Sequence, residues 1–296
     1  MQRRDFITGL AGMWAETPVI DTHIHLFDPG RPQGVPWPDK SNPVLYKAAT
    51  PERLRGIAAP LGVTGAIEVE CSPWVEDNQW VLDVAERAPF IVGMVGNLEL
   101  GKPEFGKQLQ RFRRSKLFLG IRYGNLWGRD LAAELGKPEL VAGLKELAAA
   151  GLVLDTANPD GRLIGAVLRV TDRVPELRVV MDHLPRMEDG AWKAALGDLR
   201  ELGKRRQVYA KYSGILRNVE GRVPAGLSFY RPRLDELWAI FGEDRLVYGS
   251  DWPNADLWGP YEAAFHVLRR YLEGKGAAAE KVWWRNSQAV YRWTRR

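Results

Sequence analysis

The sequence has a single cysteine, Cys71, so no internal disulfide can form and no oxidising compartment is required. It has no apolar run approaching the ~20 residues that cross a bilayer, so nothing in it reads as a membrane span. It has no internal repeat, no low-complexity segment and no linker that would divide its 296 residues. It also lacks a dense basic stripe. The formal charge is +5, but the bases are scattered, and only Arg111 to Lys116, Lys204 to Arg206 and the terminal Arg295 and Arg296 cluster. No nucleic-acid motif accompanies them, so they read as a solvated surface that leaves room for a small anionic substrate.

Composition otherwise suits a globular domain with a sizeable core, at 45% hydrophobic and 27% charged residues. Twelve tryptophans suggest aromatic walls as well as core filling. The first residues, with Arg3, Arg4, Asp5 and Phe6, resemble the start of a twin-arginine export signal. The apolar stretch Phe6 to Ala15 is short and no A-x-A cleavage site follows. The expected organisation is an N-terminal extension over 1–18 and one domain over 19–296, in a cytoplasmic protein, with export as the alternative.

From Val19 onward, short apolar or β-branched runs alternate with helical patterns. The runs are Val19–His25, Val63–Cys71, Ile91–Leu98, Leu117–Tyr123, Leu152–Ala157, Arg178–Leu184, Gln207–Ser213 and Arg245–Asp251. Gly, Pro, Asp or Asn bounds each, and continuous apolar character fits strands buried on both faces. Helical spacing recurs in Val75–Arg87, Pro138–Ala150, Leu234–Phe241 and Pro260–Leu272. Eight strand–helix units predict a (β/α)₈ TIM barrel. An open doubly wound sheet is the alternative, weakened because no glycine-rich phosphate loop follows the first run. Two long segments, Leu26–Thr50 and Gly214–Pro232, leave predicted strand ends and are candidate lids.

Only four histidines occur, and two of them, His23 and His25, stand one residue apart in VIDTHIHLFDP. In a strand such a pair shares a face, with Asp21 one layer deeper. Two imidazoles so placed can hold one divalent ion and leave room for a third ligand and water. His183 in VVMDHLP and Asp251 in LVYGSDWP fall at the tips of the sixth and eighth runs. Three histidines and a carboxylate are thereby expected at one barrel mouth. The fourth, His266, lies in a helical run and reads as a surface or packing residue.

VIDTHIHLFDP, EDNQWVLDVAER, IVGMVGNLEL, GIRYGNL, LRVVMDHLPRM, VYAKYSG, RLVYGSDWPN and RNSQAVYRW together resemble the amidohydrolase superfamily. Within it they are most similar to the amidohydrolase-related group that includes sugar-lactone hydrolases and 2-pyrone-4,6-dicarboxylate lactonase. The resemblance runs from Val19 nearly to the end. It implies a hydrolase opening a small sugar-derived or carboxylated lactone, with one divalent ion, zinc being the expected one, on His23, His25, Asp251 and His183. The chain departs from many superfamily members: the fourth run offers Arg122 and Tyr123 rather than a bridging lysine or glutamate, and the fifth offers Asp155 rather than histidine. A two-metal centre is therefore not expected, and the group also includes lactonases that work without metal.

In this reading Asp251 is the general base, and the histidines bind the ion or donate hydrogen bonds to the oxyanion. Arg122 and Lys211 are candidate substrate contacts, Arg122 through its planar fork, with Trp252 set beside them. A buried ion pair is the alternative for Lys211. Tyr123 is expected to pack on the opposite face, and Glu70 and Asp155 to orient histidines. The expected partner is a small lactone or carboxylate, without nucleic acid or membrane; a homo-oligomer is compatible. Two competing functions are a metal-dependent decarboxylase of the same superfamily and a non-catalytic binding barrel.

Overall fold

The structure, a computed structural model, describes residues 17–296. Residues 1–16, with the twin-arginine-like start, lie outside the described residues. Eight parallel strands form one sheet in sequential order. They are β1 (Ile20–Ile24), β2 (Gly65–Val69), β3 (Ile91–Gly96), β4 (Phe118–Arg122), β5 (Val153–Asp155), β6 (Arg178–Met181), β7 (Val208–Tyr212) and β8 (Leu246–Tyr248). Each lies inside one predicted run. A parallel bridge between Ile24 and Trp252 brings the last strand back to the first. The fold is a (β/α)₈ TIM barrel.

The connections are helical. In chain order they include α1 (Pro51–Ala58), α2 (Glu76–Arg87), α3 (Phe105–Phe112), α4 (Leu131–Glu134), α5 (Pro138–Ala149), α6 (Gly161–Arg173), α7 (Asp189–Gly203), α8 (Leu227–Phe241), α9 (Tyr261–Leu272), α10 (Ala277–Glu280) and α11 (Asn286–Tyr291). Local chemistry starts several of them. The Thr50 hydroxyl accepts from the Arg53 amide ahead of Pro51, and the Asp160 carboxylate accepts from the Leu163 amide. None of the helices among the described residues is long and apolar enough to cross a membrane.

Helix α8 corrects one expectation. The segment read as loop to Pro232 turns helical at Leu227, so Pro232 lies within the helix. An internal proline forgoes one backbone bond. Here the preceding turn buries Tyr230, whose hydroxyl donates to the Pro224 carbonyl at 2.6 Å.

Two apolar layers hold the barrel. The inner one takes a side chain from most strands, including Ile20, Ile67, Val92, Leu119, Val153, Val180 and Val247. Val290, Tyr291 and Trp293 from the C-terminal segment pack with it. The larger outer layer lies between strands and helices. Because Ile20 belongs to the inner layer, Asp21 turns the other way, and the β1–β2 register shifts between Asp21 and Ile24. Asp21 accepts from the Tyr261 hydroxyl and the Ser250 amide, each at 2.8 Å. It therefore ties β1 to the segment after β8 and does not share a face with His23, contrary to simple alternation.

Candidate active site

The barrel seam places the histidines. The Asp251 amide donates to the His23 carbonyl and the His25 amide to the Trp252 carbonyl, both at 2.8 Å. Gly249 makes this approach possible, since a Cβ there would lie 2.7 Å from the His23 Cβ. The segment after β8 then enters an unusual turn: Asp251 has φ +64°, and His183, after β6, has φ +52°. Non-glycine residues held in the left-handed region carry backbone strain, and such strain gathers where side chains must be aimed. Here it aims both at the mouth.

The side chains converge on Asp251. Its Oδ1 lies 3.2 Å from His25 Nε2 and 3.7 Å from the Nε2 atoms of both His23 and His183. Its Oδ2 accepts from the Asn254 side-chain Nδ2 at 2.9 Å and from Arg186. All four residues are buried, and His25, His183 and Asp251 line a cavity of about 260 Å³ together with Arg122, Arg186 and Trp127.

Burial keeps the imidazoles of His23 and His183 well below their ordinary range, and for His23 the Lys211 ammonium adds to it. Both rings are therefore neutral, with a lone pair to offer. Burial alone would raise the Asp251 carboxyl, yet it is held well below the usual range by His183 and Arg186. A neutral His183 brings only a ring dipole, so the permanent cation of Arg186 is the cause we credit.

Donor atoms from His23, His183 and Asp251 lie within 4.8 Å of one another. Two hydrogen-bonding facts test whether an ion fits. His23 Nε2 is buried without a hydrogen-bond partner. His25 bonds the Val69 carbonyl through Nδ1 at 2.7 Å, so Nδ1 carries a proton and Nε2 faces the Asp251 carboxylate. His25 Nε2 thereby points at the same Asp251 oxygen that the other two rings face. His23 Nδ1 lies 3.2 Å from Lys211 Nζ and 3.6 Å from Asp182 Oδ1. It can accept from the ammonium, or donate to the carboxylate and free Nε2 to ligate. The donor set of His23, His183 and Asp251 fits one divalent ion.

Not every expected contact reaches the cavity. Lys211 is fully buried beneath His23, 2.6 Å from Asp155 and 3.0 Å from Asp182. Burial would lower its ammonium, but the two carboxylates raise it, so it stays charged. Lys211 is thus placed as a buried ion-pair partner and not as a substrate contact. Trp252 is also fully buried, under Arg53, and offers the site only its carbonyl. Arg122 does line the mouth, its Nε donating to Glu70 Oε1 at 3.0 Å.

The expected histidine orienters have other partners. Glu70 holds Arg122 and the Trp127 indole, while Asp155 holds Lys211 and Tyr291. The Val69 carbonyl, Asp182 and the Ser213 hydroxyl, 3.1 Å from His183 Nδ1, stand beside the rings instead. Asp182 and Arg186 were missed although both flank His183 in MDHLPR. Tyr123 is buried with its hydroxyl on Glu134, and His266 is exposed on α9. Of the two long loops, the first brings Trp37 to the mouth, while Arg217 in the second pairs with Glu188 and Asp189 away from it.

The amidohydrolase family model Amidohydro_2 matches residues 20–293. The chain is 30% identical over 249 residues to an L-fucono-1,5-lactonase of Burkholderia ambifaria, covering 82% of each chain. Its structure is similar to a zinc-bound amidohydrolase of Burkholderia multivorans, with TM-score 0.83, 23% identity, and 93% and 99% of the two chains covered. A probable 2-pyrone-4,6-dicarboxylic acid hydrolase of Acinetobacter baumannii superposes with TM-score 0.72 at 18% identity, covering 93% of this chain and 99% of the other.

Proposed function

This chain belongs to the amidohydrolase family, Amidohydro_2, and from that premise we propose that it hydrolyses a small lactone at the mouth around Asp251. One observation carries the reading: a buried carboxylate stands within 3.7 Å of three imidazoles at the rim of a cavity. The cavity, about 260 Å³, lies below the ~300 Å³ lower bound of drug-sized pockets and suits a single small ring. The likeness to L-fucono-1,5-lactonase supports a sugar-derived lactone as substrate.

Ester opening needs a water made nucleophilic, a stabilised oxyanion and a proton for the leaving alkoxide. Asp251 is ionised and its Oδ1 faces the rings, so it takes the proton of the attacking water. Arg186 holds the carboxylate by its other oxygen and sets its direction. With no ion bound, His183, whose Nδ1 faces the Ser213 hydroxyl, would donate from Nε2 to the oxyanion, and the proton that Asp251 took from water passes to the departing alkoxide. Arg122 presents a guanidinium to a substrate carboxylate or hydroxyl. A divalent ion on His23, His25, His183 and Asp251, when bound, supplies Lewis-acid polarisation of carbonyl or water.

The test is metal content of the purified protein, followed by acid release from aldonolactones and pyrone-type lactones in a pH-stat. Ring opening with one proton released per turnover is expected. Carbon dioxide release without acid would favour the decarboxylase reading, and neither metal nor turnover would favour the binding barrel.

A further inference from the structure

Beside the mouth lies a second cavity, roofed by the loop between β1 and α1, with about 20 Å³ of free space. Trp37 and Cys71 line both cavities. Its walls include the indoles of Trp37, Trp74 and Trp80, and its charged lining is Arg31, Glu68 on β2, Glu70 and Asp77. Glu68 is 1% exposed, and neither of its carboxyl oxygens has a hydrogen-bond partner. The Leu26 backbone lies close but outside bonding geometry.

The neighbouring acids are matched and Glu68 is not. Asp77 pairs with Arg31 at 2.8 Å and Glu70 with Arg122 at 3.0 Å. A buried carboxyl without a cation sheds its charge by keeping its proton. Glu68 then holds one O–H donor and one carbonyl acceptor, both unused, in a space the size of one water. Leaving such groups unpaired costs their full desolvation, so an unfilled pair marks a place for a partner.

We propose that this side cavity receives the terminal hydroxyl of a neutral, hydroxylated arm on the lactone, with Glu68 as its hydrogen-bond partner. The proposal rests on the lactone reading above and narrows it. An alcohol both donates and accepts, as the Glu68 carboxyl does. The indole walls suit the C–H faces of a short carbon chain. About 20 Å³ admits a hydroxyl and not a ring or a second carboxylate. A carboxylate would also meet Glu70 and Asp77, whose arginine partners, Arg122 and Arg31, are already paired. The substrate is therefore of the sugar-lactone type rather than a dicarboxylate.

Steady-state kinetics on a six-carbon aldono-1,5-lactone bearing a C6 hydroxyl and on the matching five-carbon aldono-1,5-lactone, which keeps the ring hydroxyls and lacks only the arm, test this. Glu68→Leu is expected to lower kcat/KM for the six-carbon lactone about 10- to 100-fold, mainly through KM, and to change the five-carbon lactone by less than about 2-fold. Glu68→Gln, which keeps a neutral donor and acceptor, is expected to restore most of the loss. Val35→Phe, which fills the same cavity from its loop side, provides a second variant should Glu68→Leu fail to fold, and the same selective loss is expected.

Equal effects on both lactones, or on neither, as when the cavity holds only a water, overturn the proposal while leaving lactone hydrolysis standing. Calorimetry with a hexitol separates the other case. Binding that weakens in Glu68→Leu, in a protein that opens no lactone, upholds the pocket and removes the lactone reading. No binding and no turnover remove both.

Discussion

His25 Nε2 and Asp251 Oδ1 lie 3.2 Å apart although 226 residues separate them in the chain. The contact crosses the seam where the last strand meets the first. It joins a ring whose other nitrogen is fixed by the Val69 carbonyl to a carboxylate whose other oxygen is fixed by Arg186 and Asn254. Both groups are therefore held in direction as well as position, which is what a proton-transferring or metal-binding pair requires.

Asp251→Asn keeps the shape and one oxygen for Arg186 but cannot accept a proton. We expect kcat/KM to fall about 10²- to 10⁴-fold with circular dichroism unchanged. Lactone hydrolysis at the parent rate by a folded Asn variant would remove Asp251 from its role.

Gly249 stands where a Cβ would lie 2.7 Å from that of His23. Gly249→Ala should cost about 1–3 kcal/mol from overpacking and displace His23. Thermal melts and zinc titration should both respond. An unshifted melt with undiminished zinc affinity would show that the seam is looser than described.

Lys211 compensates Asp155 and Asp182 in a fully buried cluster. Replacing it by methionine leaves those carboxylates unpaired, and a loss of about 3–5 kcal/mol in urea unfolding is expected. Adding Asp155→Asn should recover part of it. A Lys211→Met variant as stable as the parent, with its substrate KM raised instead, would return Lys211 to the substrate contacts.

Burial, with Glu70 adding to it, holds the Glu68 carboxyl well above its ordinary value of 4.5. The folded state keeps a proton that the unfolded chain releases. This contribution to stability is full below pH 4.5 and is lost as pH rises toward the folded-state value. Glu68→Gln cannot ionise, so its melting temperature relative to the parent should climb between about pH 5 and 8. A difference that stays flat across that range would mean Glu68 is not held protonated.

The barrel and the membership of its mouth were readable along the chain. Eight apolar runs separated by helical patterns admit few other closed arrangements, and residues at strand tips reach the same rim whatever the details of packing. His23, His25, His183 and Asp251 were legible for that reason. Who partners whom came from the packing of distant segments. Alternation along β1 breaks at the register shift after Asp21, so a local period of two misassigned that carboxylate. Lys211 and Trp252 sit on the right elements, but strand stagger sets one below the mouth and turns the other into the outer layer. Arg186 and Glu68 depended on approaches between segments far apart in the chain. Periodicity is a property of neighbouring residues, whereas a partner is fixed by the offset between strands, which no single segment encodes.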